Sequence, residues 1–123
     1  MNTELEYCYR DADNYKISTT VVLAGGFSGA DLELLAARLD EGDGFIPSQV
    51  GLRDLQPGLA SFGDGLLSNA DHVWHTLDLP ADASTTSSSA TVAISWAELV
   101  AAFAAVEWDV DEAVSRLGIP EGH

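Results

Sequence analysis

A chain of 123 residues is the size of one ordinary domain, and with 46% hydrophobic residues it carries enough apolar surface to build a core. Twenty acidic against five basic residues give a formal charge of -15, which repels nucleic-acid phosphates and anionic lipid, so neither nucleic acid nor membrane is an expected partner. Cys8 is the single cysteine, which excludes an internal disulfide and a cysteine-rich zinc site. The N-terminal stretch MNTELEYCYR has no apolar signal core and no apolar run approaches the ~20 residues of a bilayer span, so a cytoplasmic location is expected.

The first segment, LEYCYRDADNYKISTTVVLAGG, reads as two strands around a polar turn. Leu5, Tyr7 and Tyr9 alternate with Glu4, Glu6, Cys8 and Arg10, and the same period resumes through Tyr15, Ile17, Thr19, Val21 and Leu23. The tip, Asp11-Ala12-Asp13-Asn14, suits a turn because Asp and Asn side chains bond nearby backbone and tolerate left-handed dihedrals. SGADLELLAARLDEGDG then has the punctuation of a helix lying across that sheet. Ser28 is the N-cap, Asp31 sits in the first turn, Leu32, Leu35, Ala36 and Leu39 form one stripe, and Gly42 is the stop. Phe45-Ile46 reads as a short edge strand halted by Pro47. The Gly- and Pro-rich stretch that follows is expected to wrap the body, because it carries Val50, Leu52, Leu55, Leu59 and Phe62. DHVWHTLDL, residues 71 to 79, reads as another strand.

Residues 81 to 90, ADASTTSSSA, read as a linker, being too poor in apolar surface to order themselves. Two short helices are expected beyond it, each with a capping box: Ser95 with Glu98, and Asp109 with Glu112. Ile94 and Leu99 are placed for a hydrophobic staple, and Gly118 with Pro120 closes the second helix. The stripe Trp96, Leu99, Val100, Phe103 and Val106 needs a partner, either the sheet or a second copy of the chain. The expected organisation is an α+β domain at 1–80, a linker at 81–90 and a helical hairpin at 91–123.

The stretch Asp71-His72-Val73-Trp74-His75 raises the question of chemistry. On a strand, side chains alternate, so His72 and His75 project to opposite faces and cannot chelate one ion. No metal site and no cofactor are expected. The plain expectation is a core-lining His75 satisfied by a buried hydrogen bond, with His72 outside beside Trp74. The sharper alternative pairs Asp71 with His75 as acid and base. No G-x-S-x-G elbow, phosphate-binding G-x-x-x-x-G-K-[ST] or H-E-x-x-H motif occurs. Gly25-Gly26 reads as a turn, and Asp40-Glu41-Gly42-Asp43, too short for an EF-hand loop, as a helix end left in water. A ligand groove on the sheet would be lined by Tyr7, Tyr9, Asn14, His72 and Trp74, although core packing uses the same residue types.

Two resemblances rest on quoted residues. Tyr9-x-Asp11-x-x-Asn14-Tyr15-Lys16, Phe45-Ile46-Pro47 with Val50-Gly51-Leu52, and Asp71-His72-x-x-His75-x-Leu77 together resemble a group of small uncharacterised bacterial proteins, which implies a shared fold and no activity. Asp109, Ala113, Leu117, Gly118 and Ile119 resemble the first helix and turn of a Fis-type helix-turn-helix. From Thr91 onward, however, six acidic residues stand against Arg116 alone, so the resemblance implies no reading of DNA.

The functional expectation is an acidic, non-catalytic interaction protein with a basic protein partner, in the manner of an inhibitor or immunity protein, since such a charge accelerates and salt-sensitises association. Trp96, Phe103 and Trp108 are the expected contact residues, with a homodimer through the C-terminal helices as the other use of that surface. The alternatives are a charge that serves only solubility or high salt, and a small enzyme or ligand-binding protein built around Asp71, His75 and the N-terminal tyrosines.

Overall fold

The alternation of Leu5, Tyr7 and Tyr9 produces what the pattern demands. In the computed structural model, which describes residues 1–61, 66–68 and 70–120, β1 (Asn2–Arg10) and β2 (Lys16–Leu23) pair antiparallel from Thr3↔Leu23 to Arg10↔Lys16. Asp11 organises the tip. Its Oδ1 accepts from the backbone N–H groups of Asp13 (3.0 Å) and Tyr15 (2.9 Å), while Asn14 takes the left-handed conformation at φ 69°.

Helix α1 (Gly29–Arg38) starts at a complete capping box between Ser28 and Asp31. Its apolar stripe falls on Leu32, Leu35 and Leu39, with Leu34 half-buried and Ala36 exposed. A turn at Asp40–Gly44, with Glu41 at φ 51° and Gly42 at φ 90°, leads into β3 (Gly44–Phe45), the far edge of the sheet. Pro47 then starts a 3-10 turn, Pro47–Val50, as its fixed φ and missing N–H favour. The wrap that follows buries Val50, Leu52 and Leu55 and contains a helix the pattern does not announce, α2 (Gln56–Ala60). Phe62, expected in the wrap, lies outside the described residues.

The strand expected over residues 71–79 is regular only at β4 (His75–Thr76), where it joins Cys8 of β1 and Gly44–Phe45 of β3. Burial still alternates around it: Val73, His75 and Leu77 are buried, and Thr76 and Asp78 are exposed.

The Ser/Thr-rich tract is not a linker. Ala83–Thr86 form β5, antiparallel to β1 from Leu5↔Ala83 to Asn2↔Thr86. The physical reason is that a strand added to a formed edge is held by main-chain hydrogen bonds and needs no apolar side chains of its own. Serine and threonine suit its solvated surface. The five-stranded antiparallel sheet therefore runs β2-β1-β4-β3, with β5 beside β1.

The C-terminal pair is α3 (Trp96–Ala105) and α4 (Val110–Leu117). Helix α3 has the full Ser95–Glu98 capping box. Helix α4 has half of one: Asp109 accepts from Glu112 N–H (3.0 Å), but the Asp109 N–H donates to Gln49 Oε1 (3.0 Å) rather than to Glu112. Trp96, Leu99 and Phe103 join Leu5, Tyr7, Leu23, Leu35 and Phe45 in one core beneath the sheet. The fold is α+β, with α1 and α3 packed together over that sheet. Because the α3 stripe completes this core, the break expected between residues 80 and 91 does not divide the protein's interior. Val106–Asp109 separate α3 from α4, which covers a second cluster of Ile46, Val73, Ala113 and Ile119.

Candidate functional site

Residues 70–77 carry His72 and His75 past the end of β1, and the side chains there sort into a buried knot and a surface cleft. The knot forms around the Tyr9 ring, whose centroid lies 5.1 Å from that of His72 and 5.2 Å from that of His75. Tyr9 Oη donates to Asp71 Oδ1 at 2.5 Å and accepts from His72 N–H at 3.2 Å. Burial, reinforced by that carboxylate, holds the phenol well above its ordinary range.

His75 is fully buried and both ring nitrogens are engaged by backbone. Nε2 accepts from Leu55 N–H at 2.9 Å, so the proton resides on Nδ1, which donates to the Val73 carbonyl at 3.2 Å. Burial outweighs the attraction of Asp54 and pulls the imidazole down to about 4, so the ring is neutral. The expectation of a satisfied core histidine agrees with this geometry. The acid–base alternative lacks its bond, because the Asp71 carboxylate serves Tyr9 and the Ser68 N–H (2.9 Å) instead.

His72 is half-buried and occupied too. Its Nδ1 accepts from Trp74 N–H at 3.1 Å, and Nε2 donates to the Arg10 carbonyl at 2.6 Å. The same imidazole that was expected outside the sheet thus pins a local bend rather than a strand.

Of the residues expected to line a ligand groove, Tyr7 and Tyr9 are wholly inside. Tyr7 Oη donates to the Arg53 carbonyl at 2.6 Å, and burial pushes its phenol up to about 12. Asn14 stands on the hairpin tip and accepts from Arg10 Nη1 at 2.5 Å. His72 and Trp74 alone reach a surface cleft, of about 320 Å³, whose opposite wall is the Asp40–Gly44 turn. Asp40, Glu41 and Asp43 bring three carboxylates to that wall, and among the described residues none of them is in a salt bridge. Trp74 is propped edge-on by Trp108, centroids 6.4 Å apart and planes at 79°. An indole beside unpaired carboxylates is suited to a cation. Sequence reasoning left this turn in water; left-handed Glu41 and Gly42 fold the acids back toward β4, and nothing in the sequence beyond the turn-forming Gly42 marks that.

Trp96 and Phe103, expected to face a partner, are in the core instead, for the physical reason that their stripe completes the apolar face of the sheet. Trp96 Nε1 donates to Asp31 at 2.8 Å, and that bond draws the carboxyl below its usual range. Trp108 is half-buried and donates to the Arg38 carbonyl at 2.9 Å. Among the described residues no three His, Cys, Asp or Glu side chains group to hold a metal, and no helix is long and apolar enough to cross a membrane. Comparison with protein-family models, with curated proteins and with solved structures finds no match.

Proposed function

We propose that this chain is an acidic, non-catalytic interaction protein that engages a basic segment of a protein partner, as an inhibitor or immunity protein does. The observation that carries the reading is the cleft between Trp74 and the Asp40–Gly44 turn, where Asp40, Glu41 and Asp43 flank an indole, outnumber Arg10 as the one basic residue in the lining, and among the described residues are in no salt bridge. A lysine or arginine side chain entering it would meet opposite charge and an aromatic face together. The net charge of -15 would steer such a partner from a distance. A catalytic role for Asp71 and His75 has less support, because the carboxylate and both ring nitrogens are already spoken for within the fold.

The test is a titration of the protein with a lysine-rich peptide, followed by tryptophan fluorescence. Binding is expected to weaken about tenfold when Asp40, Glu41 and Asp43 become Asn, Gln and Asn, and to weaken further as salt rises. Equal binding by the variant would show that diffuse charge alone attracts the peptide, and the cleft would lose its role.

A further inference from the structure

Strand β2 forms one edge of the sheet, and alternation fixes which of its backbone groups face away from β1. Val22 N–H donates to Thr91 Oγ1 at 2.8 Å and the Val22 carbonyl accepts from Thr91 N–H at 2.8 Å, so Val22 points outward. Counting in twos, Lys16, Ser18 and Thr20 point outward as well. The neighbouring strand agrees, since Glu6, paired with Thr20, turns its N–H away from β2 to Asp82 at 2.9 Å. Among the described residues nothing meets the outward N–H and C=O groups of Lys16, Ser18 and Thr20. A row of unpaired main-chain groups is a template for another strand.

The side chains along this edge say which strand fits. Lys16 lies directly opposite Arg10, an unfavourable like-charge pair, and among the described residues neither has a carboxylate partner. Four residues along, Thr20 lines an outer hollow of about 200 Å³ with Glu4, Glu6 and Asp82. On the inner side of the edge, Thr19 and Val21 line a cleft of about 440 Å³ together with Leu52, Arg53 and Val92. Just before the strand, Tyr15 is 67% exposed, an aromatic ring with no core to enter.

We propose that β2 is a homodimer surface, in which two copies of this chain pair β2 to β2, antiparallel, about a two-fold axis at Ser18. In that register Ser18 faces Ser18 and each Lys16 faces Thr20 of the other copy, so every free outward group is used. Any register sliding the axis toward Val22 runs into Thr91. Lys16 then lies in one row with Thr20 and Glu6 of the second copy, about 10 Å from Glu6 across two strand spacings, a gap that the two side chains together span. Its ammonium enters the acidic hollow. Tyr15 falls opposite Val21 of the second copy, on the inner side, where the cleft lies. The contact is isologous, so each feature occurs twice. It is independent of the cleft at Trp74 and of any basic partner.

Sedimentation equilibrium of the full chain tests the proposal. The wild type is expected to dimerise, more tightly as salt rises toward 0.15 M, because the Debye length shrinks from about 30 to about 8 Å and mutual repulsion is screened. Ser18→Pro removes an outward N–H at an edge position that tolerates proline, so the variant is expected to fold, by circular dichroism, as a monomer. Lys16→Glu is expected to weaken association about tenfold by facing Glu6 with a like charge, and adding Glu6→Lys to restore it. Should Ser18→Pro fail to fold, this charge swap decides. A wild type monomeric up to about 1 mM, a folded Ser18→Pro that still dimerises, or a double variant no tighter than Lys16→Glu would each overturn the proposal.

Discussion

The core beneath the sheet and the smaller cluster beneath α4 meet at Trp108, yet different forces hold them. The first is apolar and sealed: Leu5, Tyr7, Leu35, Leu99 and Phe103 are fully buried, and strands and helices far apart in sequence converge on it. The second buries Ile46, Val73, Ala113 and Ile119 among the described residues and is fastened at its rim by polar bonds. Arg116 reaches Asp54 at 2.7 Å, Glu112 at 3.1 Å and the Ser48 hydroxyl, while Gln49 bonds both the N–H and the carbonyl of Asp109 (3.0 and 2.8 Å). The body's stability therefore resides in α3 and the sheet, and α4 is an attachment. Sequence composition placed a linker at residues 81–90, whereas β5 occupies Ala83–Thr86 and α3 beyond it completes the core.

The largest expected effect follows from that contrast. Phe103→Ala should cost about 3–5 kcal/mol, because it empties a fully buried ring site between Phe45 and Trp108. Ile119→Ala should cost less, since its surroundings are half-exposed and can close in. Urea unfolding followed by circular dichroism measures both. An Ile119 variant as damaging as the Phe103 variant would make the two clusters one cooperative unit.

His75 sharpens the same contrast through pH. The unfolded imidazole titrates at its ordinary 6.5 and the folded one at about 4, so the folded state binds fewer protons between those values. The contribution is fully present above pH 6.5, falls as pH drops toward about 4, and amounts to a loss on the order of 3 kcal/mol. Other groups add their own pH dependence to the wild type and the variant alike. The readout is accordingly the difference between wild type and His75→Leu, which should narrow as pH falls from 6.5 to 4. A constant difference would mean that the ring is not buried in the neutral form.

Much of this was legible residue by residue. The hairpin, both ends of α1, the start of α3 and the edge strand at Phe45 follow from period and capping, because those signals act within a few residues. Strand β5 was not legible, since its cause is the free edge of β1, eighty residues away in the Glu4–Ser84 pair. The candidate site was half legible. Alternation correctly put His75 inside, but the approach of the Asp40–Gly44 turn to Trp74 depends on β3 pairing with β4, which no local pattern reports.

The smallest effect concerns the clasp itself. Arg116→Met would leave Asp54, whose side chain is 5% exposed, with the Ser48 N–H (3.3 Å) and no cation. The desolvated carboxylate makes that loss real, and the 37% exposure of Arg116 keeps it small, about 1–2 kcal/mol after solvent screening. Because the clasp joins α4 only to the 3-10 turn and the loop at Asp54, the loss should register as faster hydrogen exchange at Ala113 and Val114, with the amides of β1 unchanged. Exchange rising equally in β1 would mean that α4 unfolds only with the whole protein. The contrast between a sealed core and an attached helix would then fail.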